Sequence, residues 1–254
     1  MLHTETVAPA TLELLRRLQA EDITKEMRLV RGASLALQIA HRKSTDLDLF
    51  SYEQFDVEAA LDLLVRHYAF TPSRVTRNSI IGFIGQVKVD MIYHPYSWLT
   101  APLCEDGFRL AGLEDITAMK LHAIANSGER PKDFVDIAFL SQFFSYNQMK
   151  VRTLEKYPAY DAIMIDKSIN YFQDVDTDSI EDIHMIGYRM EWDSIEERLF
   201  SMTDNPDKVF PRVPLKKNKK INQRNDQRYR PRLYWTTDGT HVGLPWGGGH
   251  RHGL

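Results

Sequence analysis

The chain has 254 residues, a net charge of −3 and one cysteine, Cys104. This length allows one or two domains, and a single cysteine excludes an intramolecular disulfide bond. Because the sequence has no apolar run near the roughly 20 residues that span a bilayer and no signal-peptide pattern at its start, we expect a cytoplasmic protein with no membrane partner.

Positive charge is concentrated near the C-terminal end. Residues 205–254 carry a net charge of +8, whereas residues 1–204 carry −11. An acidic body of this kind does not favour broad nonspecific binding to nucleic acid.

The first predicted elements are a helix at residues 9–19, a strand at residues 27–30 and a helix at residues 34–40. The turn between the last two contains Gly32. Backbone amides at the start of a helix attract phosphate, although a glycine here equally serves a tight turn.

A strand predicted at residues 46–50 carries two acids. Side chains of a strand alternate between its faces, so Asp46 and Asp48 share one face while Leu47 and Leu49 face the core. Such a pair suits two magnesium ions held about 3.5–4 Å apart and a polyphosphate. The same pair also occurs on solvated strand faces and in the metal sites of glycosyltransferases.

A hairpin is predicted next, with strands at residues 80–84 and 87–93 after a covering helix capped by Asp56. If its second strand pairs with the strand of Asp48, Asp90 becomes a third carboxylate about 4.8 Å away. Three acids in one cleft require cations, because like charges oppose one another's ionisation. The alternative for Asp90 is a solvated strand face.

Two helices are predicted at residues 113–126 and 131–140. Lys120 falls within the apolar stripe of the first, where a lysine either extends past its neighbours to solvent or reaches into a site. Asp133 and Asp136 lie on the apolar face of the second. Acids in a first turn are also favoured by the helix dipole, which does not require a buried position.

The segment from residue 205 onward predicts a basic, flexible tail. It holds 5 of the 11 prolines and 6 of the 13 glycines and shows no hydrophobic period. Its aromatic residues suit stacking with RNA bases, and an extension without function fits the composition equally well. These aromatic residues are Tyr229, Tyr234, Trp235 and Trp246.

The sequences V-R-G-A-S-L-A-L at residues 30–37 and H-R-K-S-T-D-L-D-L-F at residues 41–50 resemble the motifs of the AbiEii/AbiGii toxin family. This family belongs to the nucleotidyltransferase superfamily of polymerase-beta-like fold, and residues 113–140 resemble the second half of its pattern. Two positions depart from it. Arg31 replaces the first glycine and Ala33 replaces a hydroxyl residue, for which Ser34 is the nearest substitute.

The resemblance implies an α/β fold of the α+β type, with a nucleotidyltransferase-like mixed sheet and covering helices followed by a helical domain. The expected divisions are a catalytic domain at residues 1–112, a helical domain closing the cleft at 113–204, and the tail at 205–254. The implied function is metal-dependent transfer of a nucleotidyl group from an NTP to an acceptor hydroxyl. The chain would be the toxin of a toxin–antitoxin pair, with tRNA as the expected acceptor.

The resemblance also implies the site residues. The expected metal ligands, for two Mg²⁺ ions, are Asp46, Asp48 and Asp90, and Lys120 joins them in catalysis. The expected nucleotide-binding residues are Gly32, Ser34, Arg42, Lys120, Asp133 and Asp136. The alternative is a non-catalytic nucleotide- or RNA-binding protein with a degenerate nucleotidyltransferase site.

Overall fold

The computed structural model of the protein describes residues 1–217. The aromatic residues expected to bind RNA, from Tyr229 onward, lie outside the described residues. Within the described range the chain forms seven strands and eight α-helices, in this order: α1 (Pro9–Ala20), β1 (Arg28–Leu29), α2 (Arg31–Ile39), β2 (Leu47–Ser51), α3 (Val57–Tyr68), β3 (Phe70–Thr76), β4 (Ser79–Ile84), β5 (Val87–Tyr93), β6 (Leu103–Glu105), β7 (Phe108–Leu110), α4 (Leu113–Asn126), α5 (Pro131–Leu140), α6 (Tyr146–Lys156), α7 (Ala162–Ser168) and α8 (Trp192–Asp204).

The strands form one mixed sheet in the order β3-β4-β5-β2-β1-β7-β6. The pairs β2–β5 and β1–β7 are parallel, and the remaining neighbours are antiparallel. The expected mixed α/β fold class is confirmed. Strand β2 lies at the centre of the sheet, and all of its residues are buried because helices cover both faces.

The alternation of side chains along β2 separates two apolar clusters. Leu47 and Leu49 belong to a cluster on the face covered by α1 and α3. Phe50 belongs to the other cluster, which α4 and α5 dominate. Asp48, between the two leucines, therefore lies on the same side of the sheet as the C-terminal helices.

Local sequence explains where several elements begin. The Asp56 side chain caps α3 by accepting a hydrogen bond from the backbone N–H of Ala59 at 3.0 Å. Ser145 and Gln148 form a reciprocal capping box at the start of α6. The hairpin turn between β4 and β5 contains Gly85 with φ 59°, a conformation that glycine adopts without steric cost.

Strands β3, β6 and β7 carry no clear sequence signal. Strand β3 is an edge strand that contains Pro72 and is exposed along most of its length. Strands β6 and β7 have three residues each, too few to show an alternating pattern. The strand predicted from residue 46 begins one residue later, at Leu47, so Asp46 precedes it.

Packing extends past residue 205, where the unpacked tail was expected to begin. The backbone N–H of Phe210 donates to the carbonyl of Ser141, and that of Asn147 donates to the carbonyl of Pro206. Leu215 is only 6% exposed and belongs to the cluster around α4 and α5. Prolines interrupt this segment, so its apolar residues reach the core without a helical or strand period.

No helix within residues 1–217 combines the length and the apolar character needed to cross a membrane.

We predict that Leu215→Ala lowers the free energy of unfolding by about 2–5 kcal/mol, because it removes buried methyl groups from a packed cluster. Val209, in the same segment, is 39% exposed, and Val209→Ala is the control with an expected change within about 0.5 kcal/mol. Urea denaturation of the full chain measures both. Equal losses in the two variants would show that the segment is not packed as described.

Candidate active site

The centre of the sheet brings two acids together. In the parallel pairing of β2 with β5, Asp48 and Asp90 are register partners. Both are buried, with 6% and 3% of their surface exposed. The expectation that the second hairpin strand pairs with the strand of Asp48 is confirmed, and Asp90 is its neighbour in the sheet.

Asp46 does not join this pair. It is exposed, and its Oδ1 accepts a hydrogen bond from Thr45 Oγ1 at 3.1 Å. Among residues 1–217, no three His, Cys, Asp or Glu side chains are close enough together to form a metal-binding group. The structure thus places two of the expected metal ligands together and the third at the edge of the cleft.

Arg31 occupies the space beside the acid pair. Its Nη1 lies 2.8 Å from Asp48 Oδ1 and 3.9 Å from Asp90 Oδ2. Lys88 Nζ approaches Asp90 Oδ2 at 2.6 Å. Burial raises the pKa of the Asp48 carboxyl, and the adjacent Arg31 guanidinium opposes that rise.

The backbone of Arg31 is strained. Its φ of 56° is left-handed, a conformation that costs a non-glycine residue about 1–2 kcal/mol. The motif that residues 30–37 resemble has a glycine at this position, and glycine adopts this conformation freely. The arginine is thus held in a backbone conformation suited to the residue that it replaces.

A cleft opens beside these residues. Its lining is mostly polar and charged, and it comprises Arg31, Gly32, Arg42, Lys43, Ser44, Thr45, Asp46, Asp48, Lys120, Arg130, Lys132, Asp182, Ile183 and His184.

The start of α2 contributes Gly32 to the cleft but no hydroxyl group. A Cβ atom at Gly32 would lie 2.6 Å from Arg42 Nη2, so the glycine is required by close packing. Ser34 is fully buried and its Oγ donates to the carbonyl of Ala111, and Ala33 packs in the core. The expected phosphate contact by Ser34 is not favoured by this position.

The carboxylate of Asp136 is fully buried. It accepts hydrogen bonds from Arg42 Nε at 2.7 Å and Nη2 at 2.9 Å, and it pairs with His41 Nε2 and Lys120 Nζ, each at 2.7 Å. Burial alone would raise the pKa of Asp136, but Arg42 and Lys120 hold it well below its usual range. Burial also lowers the pKa of His41.

Lys120 is therefore paired on two sides. Its Nζ contacts Asp133 Oδ1 at 2.5 Å in addition to Asp136. Arg42 and Lys120 both line the cleft. Their positive charges are neutralised by the buried carboxylates of Asp133 and Asp136. The nucleotide contacts expected of Arg42, Lys120, Asp133 and Asp136 remain predictions, and the structure gives all four a place in one buried network.

Other cleft cations have weaker compensation or none. Lys43 and Lys132 form no ion pair within the described part of the chain, and Arg130 lies 3.8 Å from Asp133 with a largely exposed side chain. Sequence reasoning did not select these three as site residues. The sequence feature that could have identified two of them is their position, because Lys43 lies inside the motif and Lys132 directly precedes Asp133.

The far wall comes from the loop before α8. The backbone N–H of Lys43 donates to the carbonyl of His184, and that of Ile186 donates to the carbonyl of His41. Asp182 and His184 are exposed and line the cleft. No periodic pattern marked them, because their position depends on this long-range backbone pairing.

Aromatic side chains pack next to the site. The His94 ring lies 5.4 Å from the ring of Phe50 and 5.8 Å from that of Tyr157. Burial in this cluster, reinforced by the positive charge of Lys156, lowers the pKa of His94 to about 3.

Comparison with known proteins identifies the family. The family profile described as "Nucleotidyl transferase AbiEii toxin, Type IV TA system" matches residues 13–213. The chain belongs to the AbiEii nucleotidyl transferase toxin family. The suspected family is confirmed, and the match covers the sheet, the helices from within α1 onward and most of the packed segment after residue 205.

Relatives of this AbiEii family chain include an uncharacterized protein of Aquifex aeolicus (strain VF5), 29% identical over 194 residues that cover 73% of this chain and 90% of the relative. The crystal structure of JHP933 from Helicobacter pylori has 16% identity and a TM-score of 0.51, covering 79% and 93% of the two chains. A second H. pylori structure has 17% identity and a TM-score of 0.50, covering 79% and 96%. At these levels of identity, the similarity to both structures shows the fold alone.

We predict that Lys120→Met and Lys132→Met differ strongly in stability. Lys120→Met should lower the free energy of unfolding by about 3–5 kcal/mol, because it leaves Asp133 and Asp136 short of a buried counter-charge. Lys132→Met, the control from the same cleft, should change it by less than about 1 kcal/mol. Chemical denaturation decides the matter, and a Lys120 variant as stable as the Lys132 variant would contradict the network described here.

We also predict acid sensitivity from His94. Its pKa of about 3 in the folded protein lies below the ordinary 6.5, so the unfolded chain takes up the proton first. Stability contributed by the neutral ring is complete above pH 6.5 and is lost as the pH falls toward 3. His94→Phe should therefore flatten the dependence of unfolding free energy on pH between these values. The exposed residue His67, changed to Gln, is the control, and an unchanged slope in His94→Phe would contradict the assignment.

Proposed function

We propose that this AbiEii family chain transfers a nucleotidyl group from an NTP to an acceptor hydroxyl. In this reaction the oxygen of the acceptor bonds to the α-phosphorus, the bond from that phosphorus to the β-phosphate oxygen breaks, and pyrophosphate leaves. The hydroxyl proton passes to a base, for which Asp90 is the proposed group. The observation that carries the proposal is the register pairing of Asp48 with Asp90 next to a cleft edged by cations.

The two acids fit a divalent cation. Both carboxylates are buried, and Asp90 Oδ1 has no hydrogen-bond partner within the described residues. Mg²⁺ is usually held by one or two carboxylates and completes its shell with water and substrate phosphates. Asp48 and Asp90 would hold one ion, and a second ion would depend on Asp46 at the cleft edge. Bound there, Mg²⁺ would stabilise charge on the attacking and leaving oxygens.

The remaining cleft residues suit a triphosphate. Lys43 and Lys132 carry positive charges without acid partners, and Arg130 is only loosely paired. The first turn of α2, at Gly32, presents backbone amides and the positive end of the helix dipole. We assign phosphate neutralisation first to the three cations, with Lys120 and Arg42 holding the wall against which the nucleotide binds.

We further propose tRNA as the acceptor and a cognate antitoxin protein as the partner. The family is described as a type IV toxin–antitoxin system, which supports the toxin role and a partner of this kind. Family membership does not favour the glycosyltransferase alternative.

One observation favours the second candidate, a non-catalytic nucleotide or RNA binder. Arg31 and Lys88 already pair with the two buried acids, so the site carries its own positive charge. Incubation with total RNA and each labelled NTP separates the two functions. A transferase labels RNA and releases pyrophosphate, whereas a binder retains NTP on a filter and releases none.

We predict that Asp48→Asn and Asp90→Asn each lower the transfer rate by about a hundredfold or more, because the charge that holds the cation is lost while the shape is kept. Asp62, exposed on α3, provides the control Asp62→Asn with unchanged transfer. Melting curves with and without Mg²⁺ accompany the assay. Normal transfer by both site variants, or activity lost only through unfolding, would refute the two-acid site.

A further inference from the structure

Arg31 is one of the two positions at which the chain departs from the family pattern, and its side chain is the one that reaches the acid pair. Its backbone is left-handed, at a position where the family has a glycine. Its side chain packs over the Phe50 ring, with Cζ 5.0 Å from the ring centroid. This path brings the guanidinium to Asp48 at 2.8 Å and within 3.9 Å of Asp90. The side chain is thus directed to the carboxylate pair.

The guanidinium lies where a cation for these acids would be held. Two buried carboxylates on paired residues repel each other unless a positive charge is shared between them. Nη1 of Arg31 supplies such a charge to one oxygen of each acid. Asp90 Oδ1, with no hydrogen-bond partner in the described range, is left available on the same pair.

We propose that Arg31 is an internal counter-cation that competes with a divalent cation for the Asp48 and Asp90 carboxylates. The inference rests on the proposed function in assigning the divalent cation to this pair. A divalent cation held by the two carboxylates would take up the negative charge that the guanidinium now neutralises, so a bound metal ion would displace the arginine. The side chain is 33% exposed and lines the cleft, which gives it an open direction in which to move.

Displacement links the metal to the nucleotide. Once Arg31 leaves the acids, its guanidinium would bind a phosphate group of a nucleotide held in the cleft, a ligand for which guanidinium groups are well suited. A nucleotide that attracts Arg31 therefore favours metal binding, and the metal favours the nucleotide by the same factor. Without nucleotide, the chain binds divalent cations weakly.

Titration of the full chain with Mn²⁺ alone, in the absence of nucleotide, tests the competition by electron paramagnetic resonance of the free ion. Arg31→Ala and Arg31→Gly should each bind Mn²⁺ at least about tenfold more tightly than the unchanged protein. Arg31→Ala keeps a non-glycine residue at the strained position, whereas Arg31→Gly relieves the strain as well. A gain in both variants therefore follows from removal of the charge.

Two further variants complete the test. Lys88→Ala removes the other positive charge next to Asp90 but leaves Asp48 paired with Arg31, so its gain should be clearly smaller. Asp48→Asn should abolish the binding gained by Arg31→Ala when the two changes are combined. Melting curves identify any variant that is unfolded, and Ala69→Gly, at another left-handed residue, measures the stability gained from strain relief alone.

The proposal is overturned if the arginine variants bind Mn²⁺ no more tightly than the unchanged protein, or if none of the proteins binds it. It is also overturned if Lys88→Ala gives an equal gain, or if only the glycine variant gains. The measurement is independent of transfer. Tighter Mn²⁺ binding in Arg31→Ala with no nucleotidyl transfer by any form of the protein would support the competition and refute the proposed function.

Discussion

The carboxylate of Asp136 receives hydrogen bonds from Arg42 and pairs with His41 and Lys120 in the interior of the protein. A buried charge is tolerated when it is fully paired and hydrogen-bonded, and this carboxylate meets that condition. His41 and Arg42 precede the Asp-x-Asp motif, whereas Lys120 lies on α4 and Asp136 on α5. The loop that leads to the central strand is therefore fixed to the helices by these contacts, and Arg42 and Lys120 form part of the cleft wall.

Residues 31 and 32, at the start of α2, are subject to different structural requirements. Position 31 requires a left-handed backbone, and position 32 requires the absence of a Cβ because the anchored guanidinium of Arg42 lies against it. In this chain glycine is present at position 32 but not at position 31. Gly32 is therefore a consequence of the Asp136 network, while Arg31 accepts backbone strain and gains an ion pair with Asp48.

Regular spacing of apolar residues made α1, α3, α4, α5 and the β4–β5 hairpin predictable. The strand pairing considered from the sequence is present and brings Asp90 beside Asp48, whereas Asp46 lies before the strand. Spacing placed Lys120 on the apolar stripe of one helix and Asp133 and Asp136 on that of the next, so the sequence brought a lysine and two acids to one interface. It did not indicate that these side chains pair with one another. The position of Ser34 does not favour the phosphate contact that was expected of it. One residue on a helix turns the side chain by about 100°, and here that rotation directs the hydroxyl to Ala111.

The backbone pairing of residues 41–43 with residues 184–186 has a consequence for synthesis. The ribosome releases the Asp-x-Asp strand early and the far wall of the cleft much later, and contacts between distant parts of a chain form late in folding. A nascent chain that has not yet exposed Asp182 and His184 holds its acids beside a groove with one side missing. The cleft is thus completed only after residues 184–186 have been synthesised, long after the Asp-x-Asp strand has left the ribosome.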